Sequence, residues 1–288
     1  MSSGAESKLP EPGSVSGRRL RQRLRELASA QWGDSDEVAP RARADFERTE
    51  RVRTVDAIAL SHDGELWRST EALEWPNLAS GYAEISIGAG VTPDVGARAR
   101  VYLDLETLGL AREHAIFMAG YLMPEPTRVV LLQEVAADPG EEFHLLARAR
   151  ALLETRPQVI TYNGRSFDLK ALARRLQYHG LDPLPANTEI VDLLHALRRR
   201  YRKRFPDYRL ATLERELLGC RRGASDVPGK EAPLRFRDFQ DTGRLEHLAP
   251  VLYHNRMDLV AMALLKAHLD SVADAAAPLA TESARSGA

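Results

Sequence analysis

The chain has one cysteine, Cys220, in 288 residues. An internal disulfide is therefore excluded, and so is a zinc site built from cysteines. Following Leu217-Leu-Gly219, Cys220 reads as a small core or loop residue. Aromatic residues make up only 6% of the chain, and no apolar run approaches the roughly 20 residues that a bilayer-spanning helix needs. Neither sign of charge dominates. Forty Lys and Arg against 41 Asp and Glu leave a formal net charge of −1, so the overall charge by itself announces no polyanionic partner. Arg18, Arg19, Arg21 and Arg23 have no apolar segment behind them, which does not fit a secretory signal. We expect a cytoplasmic protein that makes no membrane contact.

What is present divides by texture. Residues 1–17 and 271–288 are rich in small and polar side chains and are expected to be disordered. Residues 18–98 form an N-terminal extension of unknown role. It opens on a basic stretch with Leu20, Leu24 and Leu27 at helical spacing, read as a helix packed on the domain. It continues into short alternations that suggest strands, with a turn signal at His62-Asp63-Gly64. From 99 to 270 the pattern is that of an α/β domain. Strands are expected at 100–105, 115–122, 129–135, 159–162 and 189–191. The first three are joined by short links and suit an antiparallel meander, while the later two, separated by helices, can add in parallel.

Four carboxylates stand out against this frame. Asp104 and Glu106 lie two apart in the apolar strand Val101-Tyr-Leu-Asp104-Leu-Glu106, so both project from one face. On a buried strand, two like charges need cations to offset their repulsion and desolvation, and oxygen-rich sites select hard ions such as Mg2+ or Mn2+. Asp168 follows an Asn163-Gly164 turn, where a helix is expected to begin near Ser166. An acid in a first helical turn also complements the helix dipole without any other role. Asp258 lies four residues after His254 in a helical stretch, on the same face, and Pro250 is expected to open that helix.

The segments Asp104-Leu-Glu106, Tyr162-Asn163-Gly164-Arg-Ser-Phe167-Asp168 and His254-Asn255-Arg-Met-Asp258 resemble the three motifs of the ribonuclease-H-like DEDD 3′-5′ exonuclease superfamily. Within it, Asp192-Leu-Leu-His195, Leu217-Leu-Gly219-Cys-Arg-Arg and Asp226-Val-Pro-Gly229 resemble the YprB-like branch, over about residues 101–270. The resemblance implies a ribonuclease-H-like mixed five-stranded sheet flanked by helices. It also implies a metal-dependent 3′-5′ exonuclease that hydrolyses phosphodiester bonds using two divalent ions, Mg2+ or Mn2+, held by Asp104, Glu106, Asp168 and Asp258. The expected substrate is single-stranded nucleic acid or a 3′ end. Two metals about 4 Å apart can activate water, stabilise the transition state and neutralise the leaving oxygen.

The superfamily usually places a histidine five residues before the last aspartate, or a tyrosine four before it. This chain reverses them, with Tyr253 five before and His254 four before. Five residues advance about 500° around a helix, which turns Tyr253 away. His254 is therefore chosen as general base. Thr107, Asn163 and Phe167 are candidate contacts to the terminal nucleotide, Phe167 by stacking, with core packing as the other reading of its ring. Asp192 resembles a further family acid but is read as a helix cap. Arg199 and Lys203, within Arg198-Arg-Arg-Tyr201-Arg-Lys203-Arg204, either contact a phosphate backbone or form a solvated face. A structure-specific endonuclease, a non-catalytic nucleic-acid-binding module and a scaffold docking through the extension are the alternatives.

Overall fold

A computed structural model describes residues 52–55, 58–62, 66–73, 82–84, 99–109, 114–125 and 128–276. The expected basic helix near residues 18–28 lies outside them. The strands are β1 (Val52–Val55), β2 (Ile58–His62), β3 (Trp67–Leu73), β4 (Tyr82–Glu84), β5 (Arg100–Thr107), β6 (Ile116–Pro124) and β7 (Val129–Val135). Helix α1 (Glu142–Thr155), β8 (Gln158–Thr161), α2 (Asp168–Tyr178), β9 (Glu189–Asp192) and α3 (Leu193–Arg200) follow. A short α4 (Leu210–Leu213) runs into a π-helical turn, Glu214–Leu218, before β10 (Arg221–Arg222), α5 (Ala232–Thr242) and α6 (Leu245–Ala276).

The five expected strands are all present and in the expected senses. β5, β6 and β7 form the antiparallel meander, and β8 and β9 add in parallel beside β5. The sheet is larger than five strands, because β1, β2 and β3 extend it past β7 in the order β1-β2-β3-β7-β6-β5-β8-β9. Strand β3 pairs antiparallel with β7 along its whole length.

Alternation along β5 decides what faces what. Val101, Leu103 and Leu105 pack with Leu145, Leu146 and Leu153 of α1 and Leu169, Leu172 and Leu176 of α2. Tyr102 faces the other way, into a core with Leu193 and Leu197 of α3 and Met257, Val260 and Leu264 of α6. With a period of two, Asp104 and Glu106 share the Tyr102 face and look toward α6. A third cluster fixes α5 and the start of α6 against β6, with Phe117 and Phe236 stacked at 4.1 Å.

Three boundaries differ from expectation. Helix α2 opens at Asp168, two residues after the expected start. Helix α6 starts at Leu245, so Pro250 sits inside it. The ring removes the bond to the carbonyl of Glu246, an exposed residue in the first turn of the helix. The same helix runs on to Ala276, past the expected end of order at residue 270.

Candidate functional site

The acids meet at the carboxyl end of β5. Strand β8 lies parallel to β5, so the loop that follows it emerges at the same end of the sheet. Asn163 takes left-handed backbone, φ 62°, and a Cβ on Gly164 would lie 2.5 Å from Thr161. This tight turn is what the Asn-Gly pair signalled. Asp192 holds the loop by accepting the N–H groups of Asn163 at 2.9 Å and Arg165 at 3.2 Å, and it caps α3 through Leu194 N–H at 3.1 Å. The expected cap is thus also a clamp on the loop that delivers Asp168. The N–H of Leu105 donates to Asp168 Oδ1 at 3.3 Å, tying the start of α2 to β5. Asp258 arrives from α6.

The four carboxylates are close enough to perturb one another. Burial pushes Asp104 well above the usual carboxylate range, and the charges of Asp258, Glu106 and Asp168 push it further, against a hydrogen bond from Asn255. Glu106 is pushed up to about 8 by burial, with His254 opposing and Asp258 and Asp168 adding. Asp168 is pushed up to about 6, again by burial first, although its own N–H and that of Leu105 oppose the rise. Negative charge is in excess here, and such a donor set suits a hard divalent cation. The arrangement does not close around one. Among the described residues, no three His, Cys, Asp or Glu side chains are grouped so that they could hold one ion together. Asp258 Oδ1 is instead held by Arg222 Nη2 at 2.5 Å. The donor chemistry fits a metal, and Asp258 would have to give up Arg222 to take part in holding one.

Arg222 is a residue that the sequence motif contained without revealing its task. Its guanidinium forks onto Glu214 in the π-helical turn, with Nε 2.9 Å from Oε2, and reaches Asp226 Oδ2 at 3.5 Å. Burial alone would favour its neutral form, but Asp258 and Glu214 keep it firmly charged.

His254 is clasped by the Asp226-Val-Pro-Gly229 segment. Its Nδ1 is 2.8 Å from Asp226 Oδ1, and its Nε2 is 3.6 Å from Asp258 Oδ2. A Cβ on Gly229 would approach Nε2 to 3.1 Å, so the glycine leaves the ring its place. Burial would lower the histidine's pKa, but the bond to Asp226 and the charges of Asp258 and Glu106 push it up to about 9. Tyr253 points elsewhere, its hydroxyl accepting the N–H of Gly223 at 3.2 Å.

Asn255, the residue after His254, is fully buried. Its Nδ2 donates to Asp104 Oδ2 at 2.8 Å, and its Oδ1 accepts from Gln133 Nε2 at 2.9 Å. Asp104, Gly120 and Gln133 form one row across β5, β6 and β7. Asn255 fits over the middle of that row because a Cβ on Gly120 would lie 2.0 Å from its Oδ1.

The remaining candidates are spread out. Phe167 is 50% exposed, so its ring is not packed in the core. The Thr107 hydroxyl donates to the Gly109 carbonyl at 2.6 Å and closes the end of β5. Arg199 and Lys203 are not at the acids. They line a separate open pocket with Arg198, Arg202 and Tyr208. Cys220 is buried, as expected of a small core residue.

Among the described residues no helix is long and apolar enough to cross a membrane. A curated relative, the uncharacterised protein YprB of Bacillus subtilis (strain 168), is 33% identical over 174 residues, covering 58% of this chain and 41% of that one. The chain therefore spans less than half the length of that relative. Solved structures overlap loosely. A zinc-bound complex of E. coli ExoI with single-stranded DNA matches over 54% of this chain and 42% of that one, at 15% identity and a TM-score of 0.37. A family B DNA polymerase from Pyrobaculum calidifontis matches over 85% of this chain and 33% of that one, at 12% identity and a TM-score of 0.47. Residues 101–270, more than half of the chain and the part that carries the acid cluster, match the family model described as the RNase_H superfamily, and the chain belongs to that superfamily.

Proposed function

We propose that this chain is a metal-dependent 3′-5′ exonuclease that hydrolyses phosphodiester bonds of single-stranded nucleic acid. The observation that carries the reading is the convergence of Asp104, Glu106, Asp168 and Asp258 at the carboxyl end of β5, where burial and mutual repulsion push three of the carboxyls upward. These four acids would hold two divalent ions, Mg2+ or Mn2+. Bound there, the ions would activate water and neutralise the charge that develops on the phosphate and leaving oxygen. His254, aligned by Asp226 and facing Asp258 through Nε2, is the side chain placed to orient or deprotonate the attacking water. The surrounding carboxylates keep it protonated near neutrality, so that role requires their charge to be offset first. Phe167, half-exposed beside Asp168, and Asn163 in the loop would meet the terminal nucleotide.

The test is to incubate the purified chain with 5′-labelled and 3′-labelled single strands of DNA and RNA, with Mg2+ or Mn2+. Mononucleotides released from the 3′ end support the reading, and internal fragments would point to an endonuclease. Asp104→Asn should remove most of the turnover, because a neutral amide cannot supply the negative charge with which this carboxylate would hold a divalent ion. Substantial turnover in that variant would sink the assignment. One observation favours a second reading. Arg222 already supplies a positive charge to Asp258, as it would in a binding module that has no need of metal. Strand binding without any metal-dependent cleavage would decide for that alternative.

A further inference from the structure

A concentration of positive charge lies away from the acids. Helix α3 ends in Arg198-Arg199-Arg200, and the chain then turns through Tyr201 to Arg202, Lys203 and Arg204. Lys203 adopts left-handed backbone, φ 59°, a conformation that bends the chain sharply. Arg198, Arg199, Arg202 and Lys203 come together around an open cavity of about 480 Å3 whose fifth wall is Tyr208. All four cations are exposed. Like charges gathered in one concavity repel, and among the described residues none of the four has a carboxylate partner within ion-pair distance. Such a cavity selects an anion, and guanidinium groups match phosphate oxygens in both shape and charge.

Two independent ties connect this cavity to the acid loop. Tyr208 is fixed by donating its hydroxyl to the Tyr201 carbonyl, and its own carbonyl accepts the hydroxyl of Tyr162 at 2.5 Å. Tyr162 immediately precedes Asn163 of the loop that delivers Asp168. At the other end, α3 starts from Asp192, the clamp on that same loop. Eight helical residues span about 12 Å, so α3 carries the chain from the clamp to the basic run.

We propose that this cavity is an anchoring site for the sugar-phosphate backbone of a single-stranded nucleic acid, a few nucleotides along the strand whose end lies at the acids. The inference rests on the nuclease reading for what happens at the acids, and on the basic cavity alone for binding. Phosphates of an unpaired strand can enter a concave site of this size, whereas a rigid duplex presents them on a convex surface. Arg198, Arg199, Arg202 and Lys203 hold the backbone, and Tyr208 gives the cavity its apolar wall. The anchor depends on strand length, since a strand engages both places only when it spans from the acids to the cavity.

The experiment compares the wild-type chain with the double variant Arg199→Gln, Lys203→Asn, Asn being tolerant of left-handed backbone. Binding of fluorescein-labelled oligo-dT of 2 to 20 nucleotides is measured by anisotropy in EDTA, across a salt series. For long strands the variant should lose affinity on the order of tenfold near 0.1 M salt. Its slope of log affinity against log salt should flatten by about 1.4, from two contacts at about 0.7 each on single strands. The dinucleotide, which offers fewer phosphates to the cavity, should bind weakly and lose much less than the long strands. A long-strand salt slope that is the same in both proteins would overturn the anchor, as would an equal loss for the dinucleotide. Because this arm contains no metal, a chain that binds as expected but never cleaves would overturn only the nuclease reading. A chain that cleaves normally while the slope stays unaltered would overturn only the anchor.

Discussion

Asn255 occupies its place because residue 120 has no side chain. Fully buried above Gly120, it receives from Gln133 and gives to Asp104, so the Gln133 amide decides which end of the Asn255 amide faces the carboxylate. Gln133 is itself fixed, donating also to the Leu252 carbonyl at 2.8 Å. If the Asp104 carboxylate is to engage a cation, one of its oxygens has to be held so that the other is presented in a single orientation. Gln133→Leu should therefore weaken Mn2+ binding, measured by calorimetric titration, by about 10-fold or more, and should cost about 1–3 kcal/mol of stability through the unpaired amide. Gln133→Glu should be worse for the metal, because a carboxylate accepts and would turn the Asn255 oxygen toward Asp104. Unchanged Mn2+ affinity in both variants would refute the relay. The sequence made Asp104 and Asp258 legible, since each sits in a motif read over a few adjacent residues. Gln133 was not legible, because its role exists only once β5, β6 and β7 align in register and bring it to a residue 122 positions away. Asp226 and Arg222 lay between these cases, visible within family-like segments that gave no hint of what they touch.

Among the elements, α1, α2 and β6 are joined by one buried acid. Glu142, the first residue of α1, has no solvent exposure. It accepts the Ile116 N–H at 2.9 Å, Arg175 Nε at 2.8 Å on Oε1, and Arg175 Nη2 and His179 Nε2 on Oε2. Burial alone would raise its pKa, but hydrogen bonds from His179 and Arg175, the Arg175 charge and the Ile116 N–H together hold it below the ordinary range. A carboxyl whose folded pKa is depressed stabilises the fold above its unfolded pKa of about 4.3, and that contribution is lost as pH falls through the folded value. Glu142→Gln removes the carboxylate that Arg175 holds in the interior, so denaturant unfolding at pH 7 should show a loss of about 3–5 kcal/mol. The fall in stability from about pH 5 downward should be shallower than in the wild type, because the titrating group is gone. A variant with an equally steep acid limb would place that pH dependence elsewhere. Elements were the most legible scale in the sequence, because the period of the apolar residues sets them. All five expected strands formed, and among what escaped was the start of α6, where a proline near a helix end reads as a boundary although the chain can coil past it.

In the whole molecule, the sheet does not stop at the edge of the family-like region. The boundary drawn at residue 98 follows the resemblance, yet β3 covers the full length of β7, and pairing between strands so far apart in sequence has no local signature. Two charged contacts reinforce the junction. Arg68 of β3 meets buried Glu134 of β7 at 2.6 Å, and Arg256 of α6 pairs with Glu71 of β3. Buried Leu66 and Leu73 add apolar contact at both ends of β3. Removing residues 1–98 would strip β7 to an unpaired, largely apolar edge, leave Glu134 with Arg148 as its remaining cation partner among the described residues, and free Arg256 from Glu71. An exposed edge of that kind is a template for pairing with another chain. The fragment 99–288 should therefore elute as oligomers or aggregates on size exclusion at micromolar concentration and melt below the full chain. The milder substitution Arg68→Met, which keeps β3 in place, should leave the elution position unchanged and lower the melting temperature by only a few degrees, about what the loss of 1 kcal/mol would do in a domain of this size. A fragment 99–288 that stays monomeric with an unshifted melting temperature would mean that the meander and its helices close the fold without β3, and that β1 to β3 are an addition to a sheet already complete.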